Sequence, residues 1–335
     1  MRYKRIVVAT DGSASARAAL DAAISVATTH RAELVIANAY DNDPLDGPVE
    51  EAASIAREAG VKVATAREHG SAADVIVELA DQRDADLIVV GSRGLSRAKR
   101  VMLGSVSHRI AHHASCDVLI VRGSAGVQGY RSLAVGTDGS ATADRAARKG
   151  VEFAERAGAH VTLIFVGHPR TGEIVLRDTS ALLASDKVTC ATRILQGDPA
   201  DMIIEWTKQD KIDLIVVGNK GMTGAARFLM GSVPAKILQH AHTDVLVART
   251  MTQALDEIAR GEGGIVNIDG RKVAVYRGDD DEVIGLNPKC THLGCTVGWN
   301  PAAKTWDCPC HGSRFAATGE VVEGPAARPL DKTDV

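Results

Sequence analysis

The sequence predicts an α/β fold of two doubly wound parallel-sheet domains, followed by a small C-terminal domain rich in cysteine and histidine. Three observations lead to this prediction. Residues 1–250 contain an internal repeat. Within each copy, apolar runs of strand length alternate with segments of helical periodicity. Finally, four of the six cysteines of the chain lie between residues 290 and 310.

The two copies of the repeat share sequence markers at one constant offset. The Asp-Gly-Ser turn at 11–13 recurs at 138–140, and Gly104-Ser105 recurs at 231–232, in each case 127 residues later. A period of this length indicates a duplicated domain with the same order of elements in both copies. We therefore predict a first domain over 1–124, a second over 125–250, a linker over 251–263 and a C-terminal domain over 264–335.

Each copy is predicted to alternate strands with helices. Continuous Val, Ile and Leu runs between helices are typical of strands that are buried on both faces of a parallel sheet. The predicted strands of the first copy are 5–10, 33–39, 61–66, 86–91 and 117–121, and its predicted helices include 15–29, 72–82 and 101–113. The second copy repeats strands at 132–137, 161–166, 213–218 and 244–248.

The linker is predicted to have two parts. Residues 252–260 can form a short helix, and residues 261–264, Gly-Glu-Gly-Gly, indicate a flexible joint. The exposed apolar strands 118–121 and 245–248 are expected to pair the two copies with each other, and a homo-oligomer remains compatible with the sequence.

A glycine pattern follows the fourth predicted strand of each copy. In the first copy it is Gly91-x2-Gly94-x9-Gly104-Ser105, and the second copy repeats it. Ligands bind at the carboxyl ends of strands in such sheets, and glycines there allow backbone N–H groups to approach phosphate oxygens. The members of the pattern in the second copy are Gly218, Gly221, Gly231 and Ser232.

This spacing, together with the Asp-Gly-Ser turn, resembles the ATP-binding members of the universal stress protein family. The resemblance implies that Asp11 and Asp138 contact adenosine, and that the backbone near Ala39 and Val166 reads the adenine edge. The glycines and serines of the two patterns would then hold the ribose and phosphates. The alternative is that both aspartates are only turn residues or helix caps and that the glycines only close a tight loop.

The C-terminal domain contains two loops that each offer one thiolate and one imidazole. Cys290 and His292 belong to the first loop, and Cys308 and His311 belong to the second. Two cysteines for one iron and two histidines for the other form the ligand set of a Rieske centre. A zinc site with two cysteines and two histidines is the alternative, but zinc fingers take their cysteine pair and their histidine pair from separate elements.

The patterns Cys-Thr-His-Leu-Gly-Cys and Cys-Pro-Cys-His-Gly-Ser resemble the Rieske family, which implies a small all-β domain with a 2Fe-2S cluster. By this resemblance, Cys290 and Cys308 ligate one iron, His292 and His311 ligate the other, and Cys295 and Cys310 form a disulfide. Ser313 matches a hydroxyl donor to a cluster sulfide, whereas Phe315 stands where high-potential members have tyrosine. We therefore expect a potential in the middle of the range of about −150 to +300 mV.

Composition limits the partners of the protein. A net charge of −3 without a long basic run argues against a nucleic-acid partner. The sequence also lacks a signal-type apolar segment and any apolar run long enough to cross a membrane, so we expect a cytoplasmic protein without a membrane anchor.

Two functions are compatible with these features. One is a redox-responsive stress protein that binds ATP in its tandem domains and uses the cluster for one-electron transfer or redox sensing. The alternative is an electron-transfer component of a separate oxidoreductase, in which the tandem domains form a docking scaffold. Both require a redox partner that the sequence does not identify. The sequence contains no dedicated catalytic constellation, so an enzymatic activity is not predicted.

Overall fold

The computed structural model describes residues 2–40, 46–94, 103–123, 129–183, 188–219, 230–250, 252–253, 255, 258–268 and 271–335. These residues fall into two compact units, one up to Arg249 and the other from Thr250 onward.

The first unit contains both copies of the repeat. Its first copy consists of β1 (Arg5–Ala9), α1 (Ala14–His30), β2 (Glu33–Tyr40), α2 (Asp46–Glu58), β3 (Val63–His69), α3 (Ala72–Gln82), β4 (Leu87–Gly91), α4 (Ser105–His113) and β5 (Asp117–Val121). The second copy consists of β6 (Ser132–Gly136), α5 (Ala141–Ala157), β7 (His160–Val166), α6 (Pro169–Leu182), β8 (Cys190–Leu195), α7 (Pro199–Gln209), β9 (Leu214–Gly218), α8 (Ser232–His240) and β10 (Asp244–Ala248).

The described strands of both copies form one sheet. Its order is β3-β2-β1-β4-β5-β10-β9-β6-β7-β8, and the strands within each copy are parallel. Only the central pair is antiparallel, with Val245 opposite Ile120 and Val247 opposite Val118. The predicted pairing of the two copies through these strands is confirmed.

Helices cover both faces of this sheet. One buried apolar cluster includes Leu20 of α1, Val49 of α2 and Phe153 of α5, while the cluster on the opposite face includes Ile76 of α3 and Ile110 of α4. Strand side chains alternate between the two clusters, because successive side chains of a strand point to opposite faces. The predicted doubly wound α/β fold is confirmed. No helix in the described part of the chain combines the length and apolar character needed to span a bilayer.

The second unit consists of two small sheets. The first contains β11 (Thr252–Gln253), β12 (Glu262–Ile268), β13 (Arg271–Arg277) and β14 (Val283–Leu286). The second contains β15 (Gly298–Asn300), β16 (Thr305–Asp307), β17 (Arg314–Ala316) and β18 (Val321–Glu323). A core around Trp299, Trp306 and Phe315 fills this unit, which agrees with the predicted small all-β domain.

The predicted linker elements are wrong in two respects. Residues 252–253 are a strand that pairs in parallel with Ile265 and Val266, so the predicted helix does not begin at 252. Residues 262–264 of the Gly-rich segment belong to β12, which pairs along its whole length with β13. Gly263 is needed there for close packing, because a Cβ atom would come within 2.7 Å of the Trp299 ring and 3.0 Å of the Trp306 ring.

Candidate functional sites

The first copy contains a pocket of about 330 Å³ at the carboxyl ends of β1 and β4. The strand order reverses between these two strands, which is the position where doubly wound sheets bind ligands. All six residues that the sequence proposed for this site line the pocket. They are Asp11, Ala39, Gly91, Gly94, Gly104 and Ser105.

Helix α4 begins at the wall of this pocket. Its first intrahelical bond runs from the His108 N–H to the Gly104 carbonyl at 2.9 Å. The N–H groups of Ser105, Val106 and Ser107 therefore have no acceptor within the helix, and all three residues line the pocket. The Gly104 N–H instead donates to the Ser92 carbonyl at 2.8 Å, so this amide closes the loop and is not a phosphate donor. Sequence reasoning missed Ser107, whose hydroxyl donates to the Gly91 carbonyl at 2.6 Å.

Asp11 has both a structural role and a position in the pocket. Its Oδ1 atom accepts a bond at 3.0 Å from the Ser13 N–H, and Ser13 in turn caps α1 by accepting from the Ala16 N–H at 3.1 Å. A Cβ atom on Gly94 would lie 2.9 Å from Asp11 Oδ2. The turn function proposed as the alternative is thus present, and one carboxylate oxygen still points toward the glycine loop.

The second copy has an equivalent but smaller pocket of about 230 Å³ between β6 and β9. Five of its six proposed residues line the pocket, namely Asp138, Val166, Gly218, Gly231 and Ser232. Gly221 lies outside the described residues, as do Lys220 and Arg227 of the same loop and Arg97, Lys99 and Arg100 of the first loop.

The two helix starts differ in the donors that they offer. In α8 the first intrahelical bond runs from the Ala235 N–H to the Gly231 carbonyl at 3.0 Å. The third residue of this helix is Pro234, which has no N–H group, so only Ser232 and Val233 can donate. The first helix start therefore presents three backbone donors, and the second presents two.

The cysteine loops of the second unit share one backbone design. The Cys290 N–H donates to the Cys295 carbonyl at 2.8 Å, and the Gly294 N–H donates to the Cys290 carbonyl at 2.8 Å. The loop at 308–313 repeats both bonds at 2.7 and 3.2 Å. Gly294 and its counterpart Gly312 have φ angles of 78° and 74°, a left-handed conformation that favours glycine.

This design brings the proposed ligands together at one end of the unit. Cys290 and Cys308 are both buried, and their interaction contributes to the raised pKa of the Cys290 thiol, after the larger effect of burial. The imidazole rings of His292 and His311 lie on the exposed side, with centroids 5.1 Å apart and planes at 86°. One pair of sulfur ligands inside and one pair of imidazoles outside suits an iron pair with different ligands on each metal.

Backbone and hydroxyl donors surround the two sulfurs. The Cys290 sulfur accepts bonds from the His292 N–H and the Ser313 hydroxyl, although burial, the largest effect, raises the pKa of this thiol. The Cys308 sulfur accepts bonds from the N–H groups of Cys310 and His311. Such donors stabilise negative charge on sulfur, which is what bound iron and its reduction require.

The segment 324–330 is held against both loops. The Ala326 N–H donates to Ser313 Oγ at 3.2 Å, and the Thr291 hydroxyl donates to the Arg328 carbonyl at 2.6 Å. Gly324 has a φ of 98°, and a Cβ atom there would lie 2.5 Å from Ser313 Cα. Ser313 is fully buried at the centre of these contacts, and Phe315 is fully buried in the core beside it.

The predicted disulfide between Cys295 and Cys310 is absent from the structure. The two sulfurs lie within 4.8 Å of each other and of the Cys308 sulfur. Hydrogen bonds from the Cys295 and Cys310 thiols hold the pKa of Cys308 well below its usual range, and the same interaction with Cys308 raises the pKa of Cys295. The three sulfurs thus form a hydrogen-bonded group in the reduced state.

Comparison with known proteins identifies both units. The family model described as the universal stress protein family matches residues 2–122 and again residues 129–249, and the model of the Rieske [2Fe-2S] domain matches residues 249–334. The chain therefore belongs to the universal stress protein family and carries a C-terminal Rieske domain.

Individual relatives agree with this assignment. A Staphylococcus aureus protein named as a universal stress protein is 38% identical over 140 residues, which cover 36% of this chain and 84% of the relative. A Rieske 2Fe-2S iron-sulfur protein of Bacillus subtilis is 50% identical over 80 residues, or 24% of this chain. The crystal structure of a universal stress protein from Archaeoglobus fulgidus has the same fold over 73% of this chain and 98% of its own, with a TM-score of 0.60 and 20% identity.

The relatives match in pieces. The matched residues make up only 16% of the Bacillus subtilis protein. The shared part is the iron-sulfur domain, so the similarity identifies the domain and its cluster type.

Proposed function

We propose that the chain is a redox-responsive stress protein that binds ATP in its two stress domains and transfers or senses single electrons through its Rieske cluster. The observation that supports it best is the combination, in one chain, of two switch-point pockets with helix-start donors and a loop pair with two inner sulfurs and two outer imidazoles. A bound 2Fe-2S cluster supplies a one-electron couple.

In this proposal Cys290, His292, Cys308 and His311 hold the cluster. The inner sulfurs are buried, the segment 324–330 is hydrogen bonded to both cysteine loops, and the N–H and hydroxyl donors around the sulfurs stabilise added negative charge. The exposed imidazoles form the edge through which a redox partner protein exchanges electrons.

The nucleotide part of the proposal rests on the pocket walls. The triphosphate lies at the start of α4 or α8, where unpaired N–H groups and the helix dipole favour an anion. Asp11 and Asp138 contact the adenosine part, and the backbone at Ala39 and Val166 borders the base. The sequence contains no dedicated set of catalytic base and metal ligands for hydrolysis, so the proposal is confined to ATP binding.

The deciding experiment measures the midpoint potential of the purified full chain with and without saturating ATP. Reciprocal coupling requires that a fivefold change in ATP affinity between redox states shift the potential by about 40 mV. A shift of that size supports the redox-responsive function. A shift below about 10 mV, with ATP bound and the cluster present, would favour an electron-transfer component with a docking scaffold instead.

A further inference from the structure

The strongest concentration of metal-ligating atoms in the described chain does not coincide with the proposed cluster ligands. The Sγ atoms of Cys295, Cys308 and Cys310 all lie within 4.8 Å of one another. Of these residues, only Cys308 belongs to the set proposed for the cluster. From this geometry we infer a second metal site in the Rieske domain, a three-thiolate zinc site that forms when the cluster is absent and Cys295 and Cys310 are reduced.

The distances suit zinc. Tetrahedral coordination with Zn–S bonds of about 2.3 Å places sulfurs roughly 3.8 Å apart. Three sulfurs within 4.8 Å therefore reach this arrangement through small side-chain rotations. Thiolates also select zinc over hard cations such as Mg²⁺ and Ca²⁺, because a soft ligand prefers a softer metal.

The surroundings also suit a metal that enters from solvent. Cys295 and Cys308 are buried, whereas Cys310 is exposed and leaves a path to the sulfurs. The backbone N–H groups of Cys310 and His311 donate to the Cys308 sulfur and favour its thiolate form. Three protein ligands leave the fourth tetrahedral position to water.

The site and the cluster exclude each other. Cys308 is the shared ligand, and a thiolate held by zinc is withdrawn from the iron. A Cys295–Cys310 disulfide would in turn remove two of the three zinc ligands. Zinc occupancy therefore reports a Rieske domain that is reduced at this cysteine pair and has no cluster.

The test uses the full-length chain purified without iron and kept reduced with a phosphine. Zinc is titrated against a chromophoric chelator, and Co²⁺ serves as a spectroscopic probe whose sulfur-to-metal charge-transfer bands report thiolate ligands. We expect one metal per chain. Cys310→Ser should weaken zinc binding by more than the roughly 10–100-fold that loss of an outer-shell partner causes. His292→Ala should bind zinc as the parent does, although it lacks a proposed cluster ligand.

A second measurement does not depend on the folding of a single variant. Zinc-loaded parent protein should fail to take up iron and sulfide on reconstitution, and zinc added to Cys310→Ser should block this uptake only weakly. Absence of zinc binding by the reduced parent would overturn the inference. Zinc binding that His292→Ala abolishes and Cys310→Ser retains would also overturn it, because the metal would then occupy the cluster ligands. Neither result would contradict the proposed cluster, because its iron and sulfide content is measured separately.

Discussion

The carboxylate of Asp117 accepts a hydrogen bond at 2.7 Å from the backbone N–H of Arg249, which joins the end of one stress domain to the end of the other. The relationship is reciprocal, because Asp244 accepts a bond at 2.7 Å from the Arg122 N–H. Each aspartate begins one of the two central strands. The duplication has thus placed inside one chain a symmetric contact between two copies of the same domain.

One member of the pair has an additional partner. Lys149 Nζ lies 2.6 Å from Asp117 Oδ1, whereas the residue equivalent to Lys149 in the first copy is Ala22. Asp244 therefore has no lysine of this kind, and burial raises the pKa of its carboxyl group. The two halves of the contact are electrostatically unequal.

Replacement of Lys149 by methionine should destabilise the protein. The change leaves the fully buried Asp117 charge without its ammonium partner, and loss of one member of a buried pair costs about 3–5 kcal/mol. Asp117 keeps its bonds from the Tyr3 hydroxyl and the Arg249 N–H, so we expect a value at the lower end of this range. The free energy of unfolding should fall by about 3 kcal/mol. Urea unfolding measures it.

The double variant Asp117→Asn, Lys149→Met is the matched control. It removes both charges and retains an oxygen that can accept from Arg249, so much of the lost stability should return. A cost below about 0.5 kcal/mol for the single variant, which is the size expected of a surface pair, would show that the buried charge is not important.

Stability should fall at mildly acidic pH because of His30. This imidazole is buried, and its Nδ1 atom accepts a bond at 3.1 Å from the Tyr3 N–H. Burial, and then the charge of Arg156, lowers its pKa to about 4, so the unfolded chain binds a proton more readily. The contribution is fully present above about pH 6.5 and is lost as the pH falls toward 4. At pH 5 the stability lost through His30 is roughly 2 kcal/mol.

His30→Gln tests this contribution, since a glutamine oxygen can still accept the Tyr3 N–H bond but does not titrate. The drop in the free energy of unfolding between pH 7 and pH 5 should be smaller in the variant by about 2 kcal/mol. Parallel stability curves for parent and variant would contradict the prediction. Burial also lowers the pKa of His112 to about 4, so a residual pH dependence should persist.

The sequence predicted secondary structure best where most residues of a strand are apolar and buried. The buried strands β1, β4 and β5 are continuous apolar runs, and the duplicated markers indicate that the second copy has the same order of elements. It failed at β8, an edge strand whose exposed alanine, threonine and arginine break the apolar run. It also failed at β12, because Gly263 of that strand makes room for Trp299 and Trp306, a tertiary requirement that local sequence does not express.

For the candidate sites, too, the sequence identified residues but not the contacts that depend on the tertiary fold. Motif spacing was sufficient to propose residues that come together in the pockets and in the cysteine loops. It did not indicate that the Gly104 amide is bonded to Ser92, or that three sulfurs group around Cys308. Both depend on how a loop closes on itself.

Ser313→Ala should lower the potential of the cluster. The Ser313 hydroxyl donates to the Cys290 sulfur, and this bond favours the reduced, more negative state. Loss of about 1 kcal/mol of this stabilisation corresponds to roughly 40 mV for a one-electron centre. Potentiometry monitored by visible absorption measures the change.

Thr291→Ala is the control for this variant. Thr291 also connects the segment 324–330 to a cysteine loop, but its hydroxyl donates to the Arg328 carbonyl and not to sulfur. Its removal should leave the potential close to that of the parent. Equal shifts in the two variants would mean that looser packing of the segment, and not the bond to sulfur, sets the potential.

The first pocket should bind ATP more tightly than the second, because α4 offers a third backbone donor at Ser107 where α8 has Pro234. Ser107→Pro removes this donor, and the backbone should tolerate the change since proline already occupies the equivalent position of α8. A hydrogen bond to a charged group is worth about 1.5–3 kcal/mol, so binding at the first site should weaken by roughly tenfold or more.

Ser107→Ala is the matched control, because it loses the hydroxyl bond to the Gly91 carbonyl but keeps the N–H group, and its affinity should stay near that of the parent. In the opposite direction, Pro234→Ala restores the missing donor and should tighten the second site. Calorimetry resolves the two sites, and equal affinities for the proline and alanine variants at position 107 would show that this amide does not contact the phosphates.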